Sequence, residues 1–119
     1  WPLGAFFRSI GGIAVPRRRH GTGSLTDFLI EKFRTSERLV VAITPEGTRS
    51  RTSDWHTGFL HIAYSTGVPV GLAVLDFPSH RIMLDTVFTP TGDVDADMKA
   101  IKKFYVPYQG KYPDKFTTE

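Results

Sequence analysis

Leu39-Val40-Val41-Ala42-Ile43 runs straight into Thr44-Pro45-Glu46-Gly47-Thr48-Arg49-Ser50, and this stretch decides the reading of the fold. The first five residues are a continuous apolar run, short and β-branched, which predicts a buried strand, central and parallel. In open α/β sheets, ligand groups gather beyond the carboxyl ends of strands. The polar turn that follows is therefore where chemistry is expected. Gly47 frees the backbone, Thr48 and Ser50 offer hydroxyls to oxygen ligands, and Arg49 offers a planar guanidinium that can grip a phosphate bidentately. Glu46 repels a bare phosphate, so its expected role is to pair with an arginine or to accept a hydrogen bond from a hydroxyl. A substrate carrying both a phosphate and a hydroxyl fits this mixture. The plain alternative is a turn held by a Glu–Arg pair.

Upstream, Leu25, Phe28, Leu29, Ile30 and Phe33 mark a helix from Ser24 to about Thr35, with Ser24 as N-cap and Asp27 in the first turn. Before it lie an apolar helix over Leu3–Ile10 ended by Gly11-Gly12, and a short strand over Ile13–Val15 closed by Pro16. Downstream, residues 51–56 read as loop and Thr57–Thr66 as a helix with Gly67 at its C-cap. Val68–Phe77 reads as an apolar strand interrupted by Gly71, then Pro78-Ser79 as a turn and Arg81–Phe88 as a returning strand. Asp93–Tyr105 reads as an amphipathic helix with acids early and lysines late, which suits the macrodipole; Pro107 ends it. The tail from Gln109 is polar, with Tyr112 and Phe116 as anchors. Helices and strands alternate, which argues an α/β layer with a mixed sheet flanked by helices.

The 119 residues are one domain's worth of chain. Hydrophobic residues make up 40% and charged residues 23%, which excludes a disordered chain. The formal net charge is +3, permitting an anionic partner without demanding one. Cysteine is absent, which excludes disulfides, thiolate catalysis and Cys-ligated zinc. No apolar run approaches the roughly 18–20 residues that span a bilayer, and no signal peptide opens the chain. The abrupt apolar opening, Trp1-Pro2-Leu3-Gly4-Ala5-Phe6-Phe7, reads as part of a domain whose natural start lies upstream. Residues 1–119 are accordingly expected to form a single, partial, N-terminally truncated domain.

A second candidate stretch is Arg17-Arg18-Arg19, set between a strand end and a helix start and beside Gly21 and Gly23. Guanidiniums, a glycine backbone that permits close approach and the N–H groups of the next helix together make a phosphate site. A solvated basic loop is the plain alternative.

Thr44-Pro45-Glu46-Gly47-Thr48-Arg49-Ser50 resembles the third signature block of the glycerolipid acyltransferases, among them the 1-acylglycerol-3-phosphate acyltransferases of phosphatidic acid synthesis. Gly11-Gly12-Ile13-Ala14-Val15-Pro16-Arg17 resembles the second block at the usual distance upstream. Gly67-Val68-Pro69-Val70 is similar to the approach to the fourth, and Gly110-Lys111-Tyr112-Pro113-Asp114-Lys115-Phe116 to the tail of small bacterial members.

The resemblance implies a glycerol-phosphate acyltransferase-like α/β fold on the cytoplasmic face of the cell membrane. It implies acyl transfer from a thioester, acyl-CoA or acyl-carrier protein, to the hydroxyl of a glycerol-phosphate-type acceptor such as lysophosphatidate, in phospholipid synthesis. Arg17 is implied to bind the acceptor phosphate, and Glu46, Gly47, Thr48 and Arg49 to shape the same acceptor site. No metal or separate cofactor is implied; the thioester donor is itself a substrate. The implied partners are that donor, the phosphorylated acceptor and a membrane surface, not nucleic acid.

The family's catalytic pair, a His and an Asp with four residues between them, belongs upstream of the second block and is not found there. The chain alone is therefore expected to have little or no turnover, and no catalytic residue is assigned. His80 and Asp85 carry the spacing but follow the third block, on a predicted strand where an offset of five puts them on opposite faces. Leu72 stands where many relatives have the fourth-block proline, and His56-Thr57 where a lysine is frequent.

Two other readings compete. A non-enzymatic module for phosphate or anionic lipid would keep both arginine sites. A nucleic-acid binder is disfavoured by the acidic start of the last helix. A P-loop NTPase is excluded, since no G-x4-G-K-[ST] occurs.

Overall fold

The computed structural model describes residues 2–11 and 24–119. Its elements run α1 (Pro2–Ser9), α2 (Leu25–Thr35), α3 (Gly58–Thr66), β1 (Val70–Asp76), β2 (Arg81–Phe88) and α4 (Val94–Tyr105), with a 3-10 turn at Pro113–Lys115. Each helix starts or stops on the residues its sequence supplies. Gly11 follows α1 with φ 90°. Ser24 and Asp27 form a reciprocal capping box at α2: the Ser24 hydroxyl accepts from the Asp27 N–H at 3.2 Å, and the Asp27 carboxylate accepts from the Ser24 N–H at 3.0 Å. Gly67 ends α3 in the left-handed region, its N–H donating to the Ala63 carbonyl. Asp93 caps α4 through the Ala96 N–H at 3.0 Å.

β1 and β2 form an antiparallel pair joined by the Phe77–His80 turn. Gly71 stays in register opposite Val87. The irregularity comes one step later: Leu72 faces Thr86 and Val74 faces Met83, so β2 carries one extra residue opposite Ala73. Alternation along β1 sends Leu72 and Val74 inward and leaves Ala73 and Leu75 outside.

The core joins three elements and a loop. Leu60 of α3, Leu72 of β1, Ile101 of α4 and Trp55 are buried together, with Phe59, Met98 and Phe116 packed against them. Val94, Met98, Ile101 and Tyr105 recur at the three- and four-residue spacing that gives α4 its buried face. Full burial of Leu60 and of Ile101 contributes about 1.5–3 kcal/mol each. Helix α2 packs on α3. Their approach is close enough that a Cβ on Gly58 would lie 3.0 Å from the Thr26 hydroxyl.

The mixed α/β architecture is as expected, but one strand is not. Leu39–Ile43 carries no ladder among the described residues. Val40 is 95% exposed and Ile43 44%. A continuous apolar run becomes a buried strand only when neighbours bond to both of its edges. Here the described sheet is β1 paired with β2 alone. Val41 and Ile43 instead line a cavity together with Leu72 and Val74, and the run does not pair with β1. The strand expected over Ile13–Val15 lies outside the described residues.

A C-terminal strap holds the hairpin to α4. The Phe77 N–H donates to the Gln109 carbonyl at 3.0 Å, and the Gln109 N–H donates to the Asp76 carboxylate at 3.0 Å. Asp76 also accepts hydrogen bonds from the Ser79 hydroxyl and N–H. Those bonds, the Ser79 hydroxyl first and the Gln109 N–H next, outweigh burial and hold the Asp76 carboxyl below the usual carboxylate range.

Candidate functional site

The turn after Ile43 is built from backbone hydrogen bonds. The Gly47 N–H donates to the Thr44 carbonyl at 3.2 Å, closing a four-residue turn. The His56 N–H donates to the Pro45 carbonyl at 2.7 Å, pinning the turn to the chain that leads into α3. Gly47 sits at φ 63°, where a side chain is strained. A Cβ there would lie 2.7 Å from the His56 Cδ2 and 2.8 Å from its Nε2, so a larger residue would meet backbone strain and would also have to displace the His56 ring. Past the glycine, the Thr48 hydroxyl accepts from the Ser50 N–H at 3.1 Å.

The turn sends its two charged residues different ways. Glu46 is half-buried and lines the cavity together with Thr44 and Pro45, while Arg49 is exposed. Among the described residues no ion pair joins Glu46 to Arg49, so the plain alternative of a turn held by that pair is not what the structure contains. Glu46 acts on Tyr105 instead. Burial, and then the nearby Glu46 carboxylate, push the Tyr105 phenol above its ordinary value. The phenol keeps its proton and donates to the Ala73 carbonyl at 2.9 Å.

The cavity has a volume of about 390 Å³. Its walls are mostly apolar, with Phe33, Phe59, Leu72, Ile101 and Phe116 among them. Trp55 closes one side at 8% exposure. Tyr105 meets its ring edge-on at 6.0 Å, Phe116 lies tilted at 6.3 Å, and the Lys102 Nζ sits 5.5 Å over the ring while donating to the Ser53 carbonyl at 2.7 Å. Trp55 therefore anchors the 51–57 loop. Its indole N–H is the one buried side-chain donor without a partner among the described residues.

Of the residues singled out in the sequence, Glu46, Gly47, Thr48 and Arg49 share this turn. Arg17 lies outside the described residues. His80 and Asp85 are both exposed and neither borders the cavity. His80 is in the turn before β2 rather than on the strand, at φ 52°. Sequence reasoning did not single out Trp55 and Tyr105, which shape the cavity, and it gave no role to His56, whose ring lies beside Gly47.

No group of His, Asp and Glu able to hold a metal ion occurs among the described residues. No helix among them is long and apolar enough to cross a membrane. No curated protein and no solved structure matches the chain. A family model described as Acyltransferase matches residues 1–75, taking in both the 11–17 segment and the whole pinned turn from Thr44 to His56. On that match, which spans more than half of its length, the chain belongs to the acyltransferase family, whose general role is acyl transfer.

Proposed function

We propose that this chain carries the acceptor-binding part of an acyltransferase of phospholipid synthesis. The reaction moves an acyl group from a thioester, acyl-CoA or acyl-carrier protein, to the hydroxyl of a glycerol-phosphate-type acceptor such as lysophosphatidate. The acceptor oxygen loses its proton to a base and bonds to the thioester carbonyl carbon. The carbon–sulfur bond breaks, and the thiol leaves with a proton.

The single observation that carries this reading is the split at residues 46–49. Arg49 faces solvent, and Glu46 lines a cavity with apolar walls. A molecule with a phosphate head, a hydroxyl and an apolar chain suits that arrangement. In this reading Arg17 and Arg49 hold the phosphate, Glu46 accepts a hydrogen bond from the acceptor hydroxyl, and Gly47 and Thr48 shape the turn between them. No residue of the chain is assigned as the base. An acceptor of this kind resides in a bilayer, so the same proposal puts the working protein at the cytoplasmic face of the cell membrane.

The test measures binding and turnover separately. The chain is expected to bind lysophosphatidate, and to transfer acyl groups only when completed by a segment bearing a His-x4-Asp pair. Failure to bind would overturn the acceptor reading. Turnover by the 119 residues alone would overturn the absence of a base. Binding to anionic vesicles at low salt, with no turnover even in a completed chain, would favour a non-enzymatic lipid-binding module.

A further inference from the structure

Residue 47 must bend the chain so that Glu46 enters the cavity wall while Arg49 reaches solvent. Gly47 does so at φ 63°, in a region that glycine alone occupies without strain. Glycine carries its own weakness, because the same backbone freedom lets it leave that conformation as readily as adopt it. Something must hold it. The volume that a side chain would fill at this position is taken by the His56 imidazole, whose Cδ2 and Nε2 lie 2.7 and 2.8 Å from the Cβ position. The main chain of the same residue donates to the Pro45 carbonyl at 2.7 Å. His56 thus touches the turn on both sides of Glu46.

His56 is itself held. Trp55 before it is buried in the core. Thr57 after it opens α3, its carbonyl accepting from the N–H groups of Leu60 at 3.0 Å and His61 at 3.3 Å. The main chain of residue 56 is thus fixed by the residues on either side of it, and its exposed ring lies over the Cα of Gly47.

We propose that His56 is a positioning residue of the acceptor site: it seats Gly47 in the left-handed conformation and so fixes the divergence of Glu46 and Arg49. This rests on the acceptor-site reading above and adds to it a residue that acts without touching the substrate.

The first test needs no ligand. In a double-mutant cycle on the 119-residue chain, Gly47→Ala lowers Tm in the His56 background. In the His56→Ala background the loss is expected to shrink by about half, because the clash has gone and only the backbone strain remains. Equal losses in the two backgrounds would overturn the contact.

The second test titrates glycerol 3-phosphate and, separately, inorganic phosphate. His56→Ala is expected to weaken glycerol 3-phosphate at least about fivefold with little change in Tm, and His56→Gln, which keeps a planar polar group at similar reach, to recover most of the loss. Inorganic phosphate needs only the arginines and is expected to weaken less. Unchanged glycerol 3-phosphate binding in His56→Ala, or no recovery in His56→Gln, would overturn the positioning role. A wild-type chain that binds neither probe would overturn the acceptor reading and the functional half of this inference with it, while the cycle still decides whether His56 seats the turn.

Discussion

The Tyr64 hydroxyl donates a 2.6 Å hydrogen bond to the Asp97 carboxylate, tying α3 to α4 across the core. Asp97 is 1% exposed and accepts two more bonds from Thr91, from its N–H at 2.9 Å and its hydroxyl at 2.7 Å. Burial alone would raise this carboxyl. The bonds from Tyr64, Thr91 and the Gly92 N–H outweigh it, and the group stays below the usual carboxylate range. Tyr64 responds in the other direction, pushed up to about 12 by burial, by its bond to Asp97 and by the charges of Asp97 and Asp93.

These two shifts predict a pH window of stability. Asp97 is depressed in the folded chain, so its contribution is present above the ordinary carboxyl value of 3.8 and is lost as pH falls through the folded value. Tyr64 is raised, so its contribution is present below 10.0 and is lost as pH rises toward about 12. Thermal unfolding followed by circular dichroism should show a plateau between these limits. Asp97→Asn should lower Tm on the plateau and flatten the acid limb. An acid limb unchanged in Asp97→Asn would show that other carboxylates set it.

Tyr105 offers a direct measure of where the Glu46 charge sits. Burial is the larger cause of its raised value and Glu46 the second. Spectrophotometric titration should therefore show one phenol whose midpoint falls in Glu46→Gln yet remains above 10.0, the ordinary tyrosine value. It should disappear in Tyr105→Phe. A midpoint that ignores Glu46→Gln would place the carboxylate away from the cavity wall.

Arg49 is exposed and without a carboxylate partner among the described residues, so its removal should cost the fold little. Arg49→Ala should leave Tm within a degree or two, because surface changes away from such partners stay within about 0.5 kcal/mol. In a completed, active enzyme it should raise KM for the phosphorylated acceptor about tenfold or more, the loss of one charge-assisted contact, and leave the thioester KM nearly unchanged. Acceptor kinetics equal to wild type would remove Arg49 from the site.

What the sequence made legible was mostly local. Ser24 with Asp27, Gly67 after Thr66, and Asp93 ahead of its acidic turn set the helix ends by bonds to residues three or four positions away, so the pattern carries the answer. The Arg81–Phe88 strand was legible for a similar reason, with a tight turn and an adjacent partner. Leu39–Ile43 was not, because burial of a strand depends on distant neighbours, and no pattern within five residues says whether they are present. The Thr44–Ser50 turn was legible as a motif. Its support from His56 and Trp55 was not, since a ring filling the place of an absent Cβ leaves no periodic trace.

That difference between pattern and placement can be tested on one pair of residues. Leu60 is fully buried at 0% exposure and Val40 is 95% exposed, although both belong to apolar stretches. Leu60→Ala should cost about 2–5 kcal/mol, since it leaves a cavity among the buried Leu72, Ile101 and Trp55. Val40→Asp should change stability by no more than about 0.5 kcal/mol, as for any exposed position. A central, parallel strand at Leu39–Ile43 demands the reverse for Val40. A charge on it would be buried without a partner, and the chain would fail to fold or would unfold at much lower denaturant. Urea midpoints of the two variants against wild type therefore separate an exposed Val40 from a buried one, and severe loss in Val40→Asp would restore the strand that the apolar run suggested.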